Sequence, residues 1–179
     1  MSDNPYIVII YAGKTNQGAN SIIANWIADG VKKSGHNMNV VGPFDINFQN
    51  STEKKKLYNL AINSNGIIIG SGVYNGNIEP TLLEFFDSDK YFGAGFSSSI
   101  LASKVGGQFA TAADSGTGGQ LVLNSLSRLM QTFGANIITG GASRSTLGKL
   151  GSGSWHTAQG ILGISTKDKS TGDQVFTDK

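Results

Sequence analysis

Gly66-Ile67-Ile68-Ile69-Gly70-Ser71-Gly72-Val73-Tyr74-Asn75-Gly76-Asn77-Ile78-Glu79-Pro80 is the stretch on which the reading of this chain turns. An apolar, β-branched run too short for a helix stops at glycines and passes through a Tyr-Asn-Gly-Asn loop. It re-enters a helix at Pro80, whose fixed φ suits a first helical turn. The pattern is a buried strand emptying into a shaped loop. In open α/β sheets, ligands lie outside the carboxyl ends of the strands where the strand order reverses, so this loop is the first place to look for a site.

Outward from it, Tyr6 to Ala12 is a near-continuous apolar run, as in a parallel strand covered on both faces. A polar loop, Gly13 to Asn20, leads into a helix whose apolar spacing takes in Ile23, Trp26, Ile27, Gly30 and Val31 and which ends at Lys32, Lys33 and Gly35. Asn39-Val40-Val41 reads as a second strand. Ser51 precedes a helix over Thr52 to Asn63 with Leu57, Leu60 and Ala61 as its stripe. The helix from Pro80 carries Leu82, Leu83, Phe85 and Phe86, and a glycine-, serine- and aromatic-rich excursion follows over 91–99. Lys104 to Ala110 is the fourth strand and Thr111 to Gly119 its loop. The next helix presents Val122, Leu126, Leu129, Met130 and Phe133, and Asn136 to Thr139 is the fifth strand.

Five β and α alternations argue one α/β domain with helices on both faces of the sheet: a doubly wound, five-stranded parallel sheet with right-handed crossovers, taken in the order 2-1-3-4-5. The core runs from about residue 5 to 164, with 165–179 a polar tail. Beyond Trp155-His156 and the apolar Ile161 to Ile164 no fifth helix is visible, so the last helix is missing and either truncation or another element accounts for that face.

Composition narrows the chemistry. A net charge of +2 with 15% charged residues gives no field for nucleic acid. The absence of cysteine removes thiolate catalysis, thiolate metal sites and disulfides together, and His36 and His156 alone make no transition-metal site. No run is long enough for a membrane span, and a cytoplasmic protein is the default. Glycine, 25 of 179 residues, punctuates apolar runs rather than forming a tract, as loop residues at strand ends do.

Gly13-Lys14-Thr15 ends like a Walker loop, but Val8 stands where that motif needs its first glycine, and no G-x-G-x-x-G is present. A monophosphate fits better. Lys14, the hydroxyls of Thr15 and Ser21, the amides of Asn16 and Asn20, and the N–H groups around Gln17, Gly18 and Ala19 converge at a helix N-terminus, where they either bind an anion or simply cap the helix. The loops after strands one, three and four emerge side by side in this strand order. Together they suit a planar aromatic ligand with a terminal phosphate, and flavin mononucleotide (FMN) has that shape.

Gly70 to Ile78 with Phe85-Phe86-Asp87, and Ser115-Gly116-Thr117-Gly118-Gly119-Gln120, resemble the flavin loops of the flavodoxin-like WrbA family of NAD(P)H:quinone oxidoreductases, a likeness spanning roughly Tyr6 to Gly160. The resemblance implies FMN with its phosphate on Thr15, Asn16, Gln17, Gly18, Ala19 and Asn20. It puts the isoalloxazine against Val73, Tyr74 and Asn75, beside Gly76 and Asn77, with further contacts from Asp114, Ser115, Gly116, Thr117, Gly118 and Gly119. Phe92 matches a family tryptophan where substrate stacks. The first loop is about two residues longer than the family's, Ser71-Gly72 replaces Thr-Pro, and Thr132-Phe133 replaces a His-His pair near the flavin.

Trp155 is a candidate to stack on substrate or flavin, and both Trp155 and Tyr74 also read as packing residues. His156 is either a hydrogen-bonding partner for a quinone oxygen or surface decoration, and Asp114 either caps its loop or touches the ligand. The function implied is hydride transfer from NAD(P)H to flavin N5 and on to a quinone, in a homo-oligomer, dimer or tetramer, with no catalytic triad and no metal. The alternatives are a non-enzymatic electron carrier of the flavodoxin kind, or a flavin-free interaction domain on the same fold.

Overall fold

Along Tyr6–Ala12 (β1), Val8, Ile10 and Ala12 enter one core and Ile9 and Tyr11 another. Period-two alternation with both faces buried explains why the run has no polar gap. The computed structural model describes residues 6–13, 18–35, 37–41, 50–87, 99–113, 118–138, 154–157, 160–167 and 174–176, with the backbone alone for 37–41 and from 154 onward. The elements after β1 are α1 (Ala19–Lys33), β2 (Asn37–Val41), α2 (Ser51–Asn63), β3 (Gly66–Gly72), α3 (Pro80–Phe86), β4 (Val105–Ala112) and α4 (Gly119–Thr132).

The four strands pair in parallel in the order β2-β1-β3-β4. Ile7 stands opposite Gly66, and β3 runs beside β4 from Gly66 with Val105 to Gly72 with Thr111. The chain therefore reverses direction across the sheet between β1 and β3, and the carboxyl ends of β1, β3 and β4 are neighbours, as the sequence predicts.

Helices α2, α3 and α4 bury Leu57, Leu82, Phe85, Phe86, Leu123 and Leu126 against one face. On the other, α1 lays Ile23, Ala24 and Ala28 on Ile9, Tyr11 and Phe109. Trp26 is not part of that contact and is 58% exposed. At 100° per residue it lies off the stripe through Asn20, Ile23, Ala24, Ile27 and Ala28, whose small members let the helix approach the sheet. Gly70 is set by the same core, since a Cβ there would stand 2.0 Å from Cζ of the buried Phe109 ring. Helix α2 starts one residue earlier than its sequence suggests, because the cap is Asn50, whose carboxamide oxygen accepts from Thr52 N and Glu53 N at 2.9 and 3.3 Å.

The fifth strand differs from expectation. Strand β5 is only Asn136–Ile137, paired with the start of β4 at Val105 and Gly106. The carboxyl half of the same edge, Phe109 to Ala112, pairs in parallel with Ile161 to Ile164 of β7 (Gly160–Lys167). Strand β6 (Ser154–Thr157) lies antiparallel outside β7, and β8 (Gln174–Phe176) pairs with β7 at Ser165 to Lys167. The parallel order 2-1-3-4 thus stands, and β5 lies in parallel beside β4 over two residues, while Ile161-Leu162-Gly163-Ile164 takes the carboxyl half of that edge. Among the described residues no helix follows α4, and the polar residues after 164 supply strand.

At the opposite, amino end of the strands, Lys104 Nζ donates to Ser64 O at 2.6 Å, and burial pushes the ammonium below its ordinary pKa. Tyr6 donates its hydroxyl to Leu60 O at 3.0 Å, and burial raises that phenol. Beside them, on the α1 face, lies an apolar groove of about 410 Å³ lined by Ile7, Ile68, Val105, Gly107 and Ile138.

Candidate functional site

The loop leaving β3 is preformed by its own hydrogen bonds. Val73 N donates to Thr111 O at 2.9 Å, tying the loop to the end of β4. Tyr74 and Asn77 exchange N–H···O bonds of 3.0 and 2.9 Å around Asn75 and Gly76, whose φ values are +51° and +78°. Two successive positive φ angles make this the mirror-image turn that Asn-Gly favours. At the base of the loop, Ser71 Oγ accepts from Glu79 N at 2.9 Å and donates to Gly72 O at 2.7 Å, so the serine in place of the family's threonine pins the entry to α3. The Tyr74 ring lies over Gly72, where a Cβ would meet its Cε2 at 2.9 Å. Tyr74 therefore packs on the strand end at the rim of the site.

At the end of β1, α1 begins at Gly18, an N-cap with no side chain to accept hydrogen bonds. The first N–H returned within the helix is that of Ile22, to Gly18 O at 3.2 Å. The N–H groups of Ala19, Asn20 and Ser21 have no intrahelical acceptor. Asn20, predicted to offer its amide to a phosphate, turns inward: Nδ2 donates to Ala12 O at 2.6 Å and Oδ1 accepts from Thr111 Oγ1 at 2.7 Å, with both residues buried. What Asn20 presents toward the loop is its backbone N–H.

At the end of β4, α4 begins at Gly118, a second glycine N-cap, with φ +88°. A Cβ on Gly118 would stand 2.8 Å from the Gly76 Cα, so the second and third loops touch backbone to backbone. Helices α2 and α3 are different. Asn50 caps the first, and the Glu79 carboxylate caps the second by accepting from Thr81 N at 2.9 Å, Leu82 N at 3.3 Å and the Thr81 hydroxyl. The two helices flanking the Tyr74–Asn77 turn are thus fronted by glycine, with the positive end of the dipole and backbone donors toward the loops. Backbone donors that no N-cap side chain occupies, beside a rigid turn on which the Gly118 backbone closes directly, suit an anionic, planar group such as FMN.

Of the predicted site residues, Gly18, Ala19, Asn20, Val73, Tyr74, Asn75, Gly76, Asn77, Gly118 and Gly119 are brought to this edge. Thr15, Asn16, Gln17, Phe92, Asp114, Ser115, Gly116 and Thr117 lie outside the described residues. Trp155 belongs to β6, one strand beyond β7. Thr132 and Phe133 stand at the far end of α4, about 21 Å along the helix from Gly118. There Phe133 is buried and stacks on Phe86 at 6.0 Å, so this pair lies away from the loops of its own chain. Sequence reasoning passed over Thr111 as a site-shaping residue and took Ser71 only as a departure from the Thr-Pro of the WrbA family. Their signal is a small hydroxyl residue at the carboxyl end of an apolar strand. Among the described residues no group of three or more His, Asp or Glu is placed to hold a metal ion, and no helix is long and apolar enough to cross a membrane.

Residues 5–146 match the family model for NADPH-dependent FMN reductase. No curated protein sequence matches the chain significantly. Among solved structures, an oxidoreductase from Corynebacterium diphtheriae shares 18% identity over 78% of this chain and 81% of its own, with a TM-score of 0.61. An apo NADH:FMN oxidoreductase shares 18% over 76% and 73%, at 0.62. A WrbA-like flavodoxin from Agrobacterium tumefaciens shares 17% over 80% and 88%, at 0.56. At such identities these structures speak for the fold.

Proposed function

Because the chain belongs to the NADPH-dependent FMN reductase family, with FMN as cofactor and NAD(P)H as electron donor, we propose that this oxidoreductase delivers its electrons to a quinone-like acceptor at the edge formed by the ends of β1, β3 and β4. The observation that carries the reading is the pair of glycine-fronted helix N-termini, at Gly18 and Gly118, on either side of the rigid Tyr74–Asn77 turn.

The residues divide the work by chemistry. The first-turn N–H groups of α1, at Ala19, Asn20 and Ser21, take the phosphate, with the helix dipole behind them. Val73, Tyr74 and Asn75 form the wall for the flat ring, beside Gly76 and Asn77, with Gly118 and Gly119 closing the third side. When bound, FMN supplies the two-electron redox chemistry that links nicotinamide to acceptor. The chain's part is to bind, orient and exclude water. The turn at Asn75 and Gly76 is already held by its own hydrogen bonds, so little ordering cost falls on the binding step. No side-chain nucleophile or acid–base pair is required for that chemistry.

The test is an FMN titration followed by steady-state oxidation of NADH and NADPH with benzoquinone as acceptor. Bound, visibly yellow protein and direct turnover are expected. A protein that stays colourless after FMN addition refutes the reading, and quinone reduction that needs a separate reductase makes the protein a carrier instead.

A further inference from the structure

Thr111 is engaged through both of its polar groups, each with one end of the site. Its hydroxyl donates to Asn20 Oδ1 in the first turn of α1, at 2.7 Å. Its carbonyl accepts from Val73 N in the loop after β3, at 2.9 Å. Asn20 completes the link, since its Nδ2 donates to Ala12 O at the end of β1 at 2.6 Å. The orientation of the amide is fixed from both sides, because Ala12 O accepts only and the threonine hydroxyl has a proton to give. The backbone closes round the pair: a Cβ on Gly13 would lie 3.2 Å, and one on Gly72 3.4 Å, from the same Nδ2. Asn20 is 6% exposed and Thr111 8%.

A buried polar pair of this kind adds little net stability over two apolar groups of the same shape, so its contribution is geometric. We propose that Asn20 and Thr111 are positioning residues that fix the phosphate-binding turn of α1 at a set distance from the ring-binding loop, and so make the site select a flavin bearing a terminal phosphate over one without it. The inference rests on the FMN reading above. With the bond present, the N–H groups of Ala19, Asn20 and Ser21 stand at one register relative to Val73. Without it, the first turn of α1 keeps its tie to Ala12 O but loses its side-chain link to Thr111, and with it the fixed distance to the ring wall, which the Val73 to Thr111 backbone bond still holds.

The experiment compares FMN and riboflavin affinity, by quenching of flavin fluorescence, in the wild type, Thr111→Val and Thr111→Ser. Valine keeps the shape and removes the donor, while serine restores it. The wild type is expected to prefer FMN by well over tenfold, and Thr111→Val to weaken FMN about tenfold while moving riboflavin less than about twofold. Thr111→Ser should stay within about twofold of wild type for both ligands. A purely structural role would weaken both flavins alike and leave their ratio unmoved. Equal losses, no loss, failure of serine to restore the ratio, or a Thr111→Val chain that does not fold would each overturn the proposal. Wild-type protein that binds neither flavin removes the FMN reading itself, whereas wild type that binds both equally removes only the positioning role.

Discussion

Substituting alanine at Gly118 tests whether the second and third loops are held in contact. Two costs follow from the geometry. At φ +88° a Cβ brings left-handed strain of about 1–2 kcal/mol. It would also stand 2.8 Å from the Gly76 Cα, well inside an ordinary carbon–carbon contact of about 3.5–4.0 Å, so one loop must retreat. Overpacking of this sort costs about 1–3 kcal/mol, and the reduced freedom of the unfolded chain returns about 0.4–1. The net loss is about 1–4.6 kcal/mol, or about 2–18 °C in Tm for a chain of this size.

Gly76→Ala is the built-in control. It suffers the same class of strain, at φ +78°, but a Cβ there meets nothing within 4 Å. Its net cost is about 1.6 kcal/mol or less, and its Tm should fall by no more than about 6 °C, without the overpacking that Gly118→Ala adds. Thermal denaturation with and without saturating FMN reads both terms. Gly118→Ala should melt lower and gain less from FMN, because loops forced apart bind it less well. Equal melting temperatures for the two variants, with equal stabilisation by FMN, would refute the contact and its part in binding.

Gly70→Ala drives a methyl to 2.0 Å from the buried Phe109 ring and should cost about 3 kcal/mol. Adding Phe109→Leu should recover part of that loss, and strictly additive losses in urea titrations would count against a steric cause. Tyr6 gives a pH signature. Burial raises its folded-state pKa above the ordinary 10.0, so the contribution is complete below that pH and is lost as pH rises through the folded value, when the phenolate can no longer donate to Leu60 O. Stability measured across the alkaline range should therefore fall more steeply for the wild type than for Tyr6→Phe, and parallel curves would contradict the assignment.

The strands and helices that position the site were legible because local signals agreed there. The β3 boundaries, Pro80 at the first turn of α3 and Gly35 beyond α1 all come from short-range steric rules. What escaped was set by partners distant in sequence. The edge of β4 is shared by two strands because Ile161 to Ile164 pairs there, which no local pattern announces. Trp26 sits at a plausible helical spacing, but the small residues Ala24 and Ala28 decide which face meets the sheet. Asn20 has the chemistry of a phosphate ligand, yet its amide matches Ala12 O on one side and Thr111 on the other, and a matched buried amide outcompetes a solvent-facing one.

The divided edge of β4 has a kinetic meaning. Its pairing with β5 closes a loop of about thirty residues, about half of them in α4, whereas its pairing with β7 closes one of about fifty. The longer closure costs only a few tenths of a kcal/mol more in chain entropy, but it needs α4 already docked, so β7 joins the sheet late in folding. Elements that arrive last are commonly the first to leave. In amide hydrogen exchange, Gly160–Lys167 should open as a unit of its own, well before β3 and β1, leaving a four-stranded parallel core that still carries all three loops of the site.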